Sequence, residues 1–408
     1  MTTDVTQQPS STGSEPAGMP TLRSNPFDPP DRLAELRRTG PVTRLRYPDG
    51  HLGWLVTDHA VARAILADQR FSARSELKRV PVARPSVAPF YGRPALPGWF
   101  LDMDPPNHTR VRRLLAGHFT VHRAEALTPR IEQIVAEHLD AMAAAGGPCD
   151  LVDAFALPIP SMVICELLGV PYAERAEFQR NSATLFSLEV TADEADAAMV
   201  ALDALLRDLV RRPRQEPPGD LLGALGASGR LSKEELTGVG VLLLTAGHET
   251  VASMLGLGTF ALLCHPEQSR LLHDGNVDVT NAVDELLRYL SIFHFGVPRT
   301  PLEDVEIGGV PIRAGESVTV SLPAANRDPT RFTAPDTLDL ARPARGHLAF
   351  GFGVHQCIGQ NLARVQMRIA YPALLRRFPS LRLAVPTQDV RLSADMGFYG
   401  VHHLPVTW

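Results

Sequence analysis

One cysteine in this 408-residue chain has surroundings unlike those of the other three. It lies in the run Phe350-Gly351-Phe352-Gly353-Val354-His355-Gln356-Cys357-Ile358-Gly359. Apolar residues then recur at Ile358, Leu362, Val365 and Ile369, marking one face of a helix that begins at the cysteine. A thiol placed there faces free backbone N–H groups and the positive end of the helix dipole, and both favour the thiolate. Gly353 and Gly359 let the backbone turn tightly and approach something large and flat. The plainer alternative is a structural cysteine in a glycine-rich turn. Cys165 and Cys264 stand among apolar residues and read as packing, and no pair of the four cysteines has the close spacing of a zinc site.

A second constellation, Ala246-Gly247-His248-Glu249-Thr250, interrupts a long apolar stretch. Small residues at 246 and 247 allow close approach of a ligand, and an acid beside an alcohol can hold and pass protons. The competing reading is a mid-helix threonine bonded back to the Ala246 carbonyl beside a solvated carboxylate. His108 and Arg112 are four residues apart and share one helix face. Glu285 and Arg288 are spaced as an ordinary helical ion pair.

Together these motifs resemble the cytochrome P-450 family, from about residue 25 to the C-terminus and in the family's order. The cysteine run is similar to the heme-binding loop Phe-x-x-Gly-x-x-x-Cys-x-Gly, and residues 246–250 to the oxygen-binding segment. The resemblance implies that Cys357 is the axial ligand of heme b, with Phe350 shielding it and Gly351 and Gly359 shaping the loop. It implies that Ala246 and Gly247 make room for O2, that Thr250 hydrogen-bonds on the oxygen side, and that Glu249 delivers protons. Val251 stands where many relatives have a second hydroxyl residue. His108, Arg112, Arg299 and His355 take the family's places around the heme propionates. Glu285 and Arg288 match its Glu-x-x-Arg motif, with Arg331 the expected second arginine of a buried structural cluster.

The elements that must position these residues are mostly helical. Apolar periodicity predicts helices over 105–117 (Asp104 as N-cap), 122–144, 161–168, 195–212 and 279–290. The longest starts at Ser232, with Glu235 completing a capping box, and runs to about Cys264. It is apolar enough to raise the question of a membrane span, but His248-Glu249-Thr250 near its centre points to a buried core helix instead. A hairpin over 41–57 turns at Pro48-Asp49-Gly50, while 303–321 and 390–408 look extended and the proline-rich 81–98 reads as a loop. The fold class expected is mainly α with a small β-rich portion, the cytochrome P-450 fold, in one domain over 25–408. Residues 1–24 are expected to be a disordered tail carrying neither a secretory signal nor a membrane anchor.

Hydrophobic residues make up 44%, charged residues 21%, and the formal net charge is -5. That balance is ordinary for a soluble globular protein and gives no reason to expect nucleic acid as a partner. The expectation is a cytoplasmic, monomeric monooxygenase that inserts one atom of O2 into a lipophilic molecule, by hydroxylation or epoxidation. It looks most like soluble bacterial members that tailor macrolides and other polyketides. NAD(P)H would supply electrons indirectly, through a reductase and a ferredoxin docked near Arg113, Arg364 and Arg368. By the family's layout Leu243, Ala246, Ile292, Phe295, Val297, Met396 and Phe398 line the substrate pocket. A peroxide-driven peroxygenase would not need Thr250 and Glu249, and neither would a heme sensor without catalysis.

Overall fold

The computed structural model describes residues 16–212 and 219–408. Helices dominate, and the longest is Lys233–Cys264, 32 residues, about 48 Å end to end. It starts as its capping box requires: the Ser232 hydroxyl accepts from Glu235 N at 3.1 Å, and the Glu235 carboxylate accepts from Ser232 N at 3.0 Å. By length and composition it could cross a membrane, yet 72% of its most apolar window is buried inside the protein. Its first half, Leu236 to Leu244, packs into one hydrophobic core, and Val251 to Leu262 into another. The helix Pro158–Leu168 divides the same way, with Ile159 and Val163 in the second core and Ile164, Cys165 and Leu168 in the first.

Five strands form the main sheet, in the order Val42–Arg46, Leu52–Val56, Val318–Val320, Val297–Pro301 and Phe71–Ser72. The expected hairpin pairs Val42 with Val56 and Arg46 with Leu52. Arg299 lies opposite Val318, so a buried strand, not a loop, sets its position. The segment 303–321 contains the short pair Val305–Ile307 and Val310–Ile312, whereas 390–408 is extended only at Pro405–Thr407 and at isolated bridges.

Several helix boundaries differ from the periodicity. Val279–Leu290 forms as expected, but 122–144 is two helices, Val121–Glu125 and Thr128–Ala145. Pro129, at the start of the second, cannot continue a helix from the first. Asp104 does not cap the helix Asn107–Ala116. Its carboxylate instead accepts from Ser72 Oγ at 2.6 Å and Ala73 N at 2.8 Å, a partnership across the chain that outcompetes the local one. Residues 1–15 of the expected tail lie outside the described residues. From Ala17 onward the chain is anchored: the Ala17 carbonyl accepts from Arg46 N at 3.0 Å, Met19 is buried, and Arg23 stacks 3.8 Å over the Tyr399 ring.

The loop 81–98 contains one short turn of 3-10 helix, Pro85–Val87. A buried Lys78–Asp102 ion pair joins the chain on either side of it. It lies backbone to backbone on the long helix. A Cβ at Gly238 would fall 1.9 Å from the Pro97 carbonyl oxygen, and one at Gly98, where φ is +78°, 2.0 Å from that of Glu235.

Candidate active site

The cysteine loop is held from both ends. Cys357 N donates to the Phe350 carbonyl at 2.9 Å, and Gly353, at φ +73°, passes so near Leu66 that a Cβ would sit 2.2 Å from its oxygen. The following helix is Gln360–Arg377 with Gly359 as N-cap, so the cysteine precedes its first turn. The thiol is accessible on one side and enclosed by protein elsewhere. Burial pushes its pKa up. The N–H groups of Gly359 and Gln360 and the charges of Arg112 and Arg364 pull the other way without offsetting it. A soft sulfur donor with one accessible side is the kind of group that takes a metal ion. The Phe350 ring lies under the Arg364 guanidinium, 4.5 Å from its centroid.

Groups from three elements gather beside this loop. The His355 and His108 rings stand 4.2 Å apart, and Arg112 donates to the Gln356 carbonyl. Neither nitrogen of His108 has a hydrogen-bond partner although both are buried. Burial lowers the pKa of His108 to about 4 and drives that of His355 further down, leaving both imidazoles neutral at pH 7. Arg299 is buried, donates to the Pro298 carbonyl at 2.8 Å, and has its pKa lowered by burial to about 10. Among the described residues neither Arg112 nor Arg299 has a carboxylate partner; the nearby Asp102 and Asp104 are taken up by Lys78 and by Ser72 and Ala73. Buried nitrogens without partners, as on His108, and a buried charge without a counter-charge, as on Arg299, are both costly. A flat cofactor with carboxylate arms and a metal for the thiol fits this donor set.

On the long helix, Thr250 Oγ1 donates to the Ala246 carbonyl at 2.9 Å, as a mid-helix threonine does, which leaves its oxygen free to accept. The Glu249 carboxylate lies 3.5 Å from the Nε2 of fully buried His248, whose Nδ1 meets the Leu244 carbonyl at 2.7 Å. Ala246 is exposed although the five residues before it are buried. Gly247 has a different reason to be small: a Cβ there would meet Ile164 at 2.7 Å, so the residue serves helix packing. Val251 belongs to the second core.

The structural cluster has a different third member from the one expected. Glu285 accepts from Arg288 at 2.7 and 2.9 Å, from Asp339 N at 3.1 Å and from Arg342 Nε at 3.0 Å. Arg331 lies apart, its guanidinium bonded to the Arg345 carbonyl at 2.6 Å. Spacing from the helix could not distinguish two arginines that follow it in a long irregular segment. Arg364 and Arg368 are likewise not free surface charges: the first pairs with Asp284 at 2.7 Å and the second with Glu125. Arg113 is exposed and has no ion pair among the described residues; with Arg110 and Arg230 it lines an open cleft of about 840 Å³.

Among the pocket candidates, Met396 and Phe398 lie on a turn gripped from two sides. Gly397 N donates to the Phe186 carbonyl at 2.6 Å, Tyr399 N to that of Ile292 at 2.9 Å, and His294 Nε2 meets the Met396 carbonyl at 2.7 Å. Phe398 packs against Phe186 at 4.7 Å and Phe293 at 5.2 Å. Those two rings carry no motif, so only the fold reveals them. Phe295 is buried against the His294 ring, 3.7 Å away. Leu243 is buried and Val297 sits in the sheet.

The family profile described as Cytochrome P450 matches residues 277–397. The chain is 46% identical over 398 residues to Cytochrome P450 105C1 of a Streptomyces species, covering 97% of this chain and all of the relative. It is 44% identical over 405 residues to the pentalenic acid synthase of Streptomyces avermitilis, covering 98% and 100%. The crystal structure of CYP105P1 in complex with filipin I superposes with a TM-score of 0.89 at 44% identity, covering 97% of this chain and 99% of that one. Similarity of this extent, over a cysteine loop and helical scaffold built as described, means that the chain belongs to the cytochrome P450 family of monooxygenases.

Proposed function

We propose that this enzyme oxygenates a lipophilic secondary metabolite at a heme held by Cys357, by hydroxylation or epoxidation. The observation that carries the reading is what converges on the loop that presents Cys357: two arginines, Arg112 and Arg299, that bond only to carbonyls and have no carboxylate partner among the described residues, and the buried His108 ring, neither nitrogen of which has a hydrogen-bond partner. Arg112, Arg299, His108 and His355 would hold the propionates, the two guanidinium groups gaining a counter-charge and each neutral imidazole giving its one N–H. Heme bound there supplies the activation of dioxygen. Ala246 leaves space on the long helix, Thr250 accepts a hydrogen bond in that space, and Glu249 brings protons to it. Phe350 covers the sulfur side, and Gly351 and Gly359 keep the loop thin. The relatives named above support the secondary-metabolite class.

The exposed Arg113, with its cleft, is the proposed landing point for an acidic ferredoxin, and Arg364 and Arg368 contribute little because each already has a carboxylate. The enzyme would work in the cytoplasm as a monomer, with 25–408 as one domain.

The test is the difference spectrum of the dithionite-reduced protein with and without carbon monoxide. A red-shifted Soret band is expected from thiolate ligation. A band at the histidine-ligated position would displace Cys357 from its role. Thr250→Ala is expected to leave nicotinamide consumption largely intact but to cut product per nicotinamide by roughly tenfold or more, the balance appearing as peroxide. Unchanged coupling would remove Thr250 and Glu249 from proton delivery and favour a peroxide-driven reaction.

A further inference from the structure

Arg84, in the proline-rich loop, is an internal cation that the chemistry above does not use. Its Nε donates to Ser86 Oγ at 3.1 Å and its Nη2 to the Leu185 carbonyl at 3.0 Å, at the end of the helix Arg175–Phe186. Its guanidinium lies against Gly397, where a Cβ would come within 2.7 Å of Nη2, and 5.9 Å from the Phe186 ring. It thus touches the turn that carries Met396 and Phe398.

No carboxylate balances it among the described residues. Burial lowers its pKa, and the only group raising it is the Tyr91 phenol. That phenol is itself held neutral by burial, which raises its own pKa. His294, the other titratable neighbour, has its pKa lowered by burial to about 3 and is neutral as well. Two neutral acceptors on Nε and Nη2 satisfy hydrogen bonds but not charge. Nη1 has no acceptor among the described residues, and it is not among the buried atoms sealed from access. A desolvated cation in an aromatic wall, with part of its fork free, is complementary to a planar anion that takes two parallel N–H bonds.

We propose that Arg84 recognises a carboxylate on the substrate, so that this enzyme selects lipophilic acids over the corresponding alcohols. The inference rests on the proposed reading of the pocket, because it assumes that Met396 and Phe398 face the substrate.

The experiment uses holoenzyme whose reduced carbon-monoxide band is already red-shifted, which keeps failure of the heme-thiolate reading separate from failure of this one. Dodecanoate and dodecanol, then tetradecanoate and tetradecanol, are titrated against the wild type, Arg84→Gln and Arg84→Lys, with the spin-state shift as readout. The wild type is expected to bind each acid at least tenfold more tightly than its alcohol. Arg84→Gln should abolish that preference while leaving alcohol affinity within about threefold, and Arg84→Lys should retain most of it. The absence of an acid preference in the wild type, or an undiminished one in Arg84→Gln with the Soret band intact, would overturn the proposal. So would an equal loss of acid and alcohol binding in Arg84→Gln and Arg84→Lys, which would make the residue a strut between the loop and the helix.

Discussion

Cys357→Ser is expected to abolish the red-shifted carbon-monoxide band and to lower product formation by about three orders of magnitude, ~4 kcal/mol in the barrier. The fold should survive the change. The bond that closes the loop runs from Cys357 N to the Phe350 carbonyl and is independent of the side chain, and a serine oxygen can accept from Gly359 and Gln360 as the sulfur does. What is lost is the soft, strongly donating ligand on which the oxygen chemistry depends. Unchanged circular dichroism with a displaced Soret band and negligible turnover is therefore the signature. Retention of full turnover would dismiss the axial-ligand assignment.

Glu285→Gln is expected to cost about 3–5 kcal/mol of stability, read as the shift in a urea unfolding curve. Glu285 is fully buried, and its carboxylate is the counter-charge for both Arg288 and Arg342. The amide keeps the volume but removes the charge, leaving two guanidinium groups around a neutral partner. Arg288 cannot relax to water, because its remaining donors are committed to the carbonyls of Asn326, Pro335 and Thr337. Arg331→Ala serves as the contrast. Its charge is at the surface with a single carbonyl partner, so its loss should fall within about 0.5 kcal/mol. A result with the two magnitudes exchanged would return Arg331 to the cluster.

What could be read from the chain divides along the distance over which each signal acts. The capping box at Ser232 and Glu235, the end of the long helix near Cys264 and the whole of Val279–Leu290 were legible because caps and periodicity are local. The cysteine loop was legible for the same reason. Signals failed where a partner distant in sequence decided the outcome. Asp104 is drawn to Ser72 and Ala73, Arg364 to Asp284, and Glu285 to Arg342 rather than Arg331. Gly247 has the residue type expected of an oxygen site, yet Ile164 supplies its reason. Arg84 and the rings of Phe186 and Phe293 carry no pattern at all, since a pocket wall is assembled from unrelated loops.

The division of the long helix and of Pro158–Leu168 between two cores, at the level where Gly247 meets Ile164, has a mechanical meaning. The protein resembles two rigid blocks riveted along a pair of shared rods, with the polar notch at the joint. Close-packed blocks resist deformation, and so do rods that run unbroken through both. The room across the notch is then set by how closely the two rods approach each other, and at Gly247 and Ile164 they approach as closely as the residue types allow. Changes at Gly247 or Ile164, neither of which need touch the guest, would widen or narrow the range of molecules the enzyme accepts.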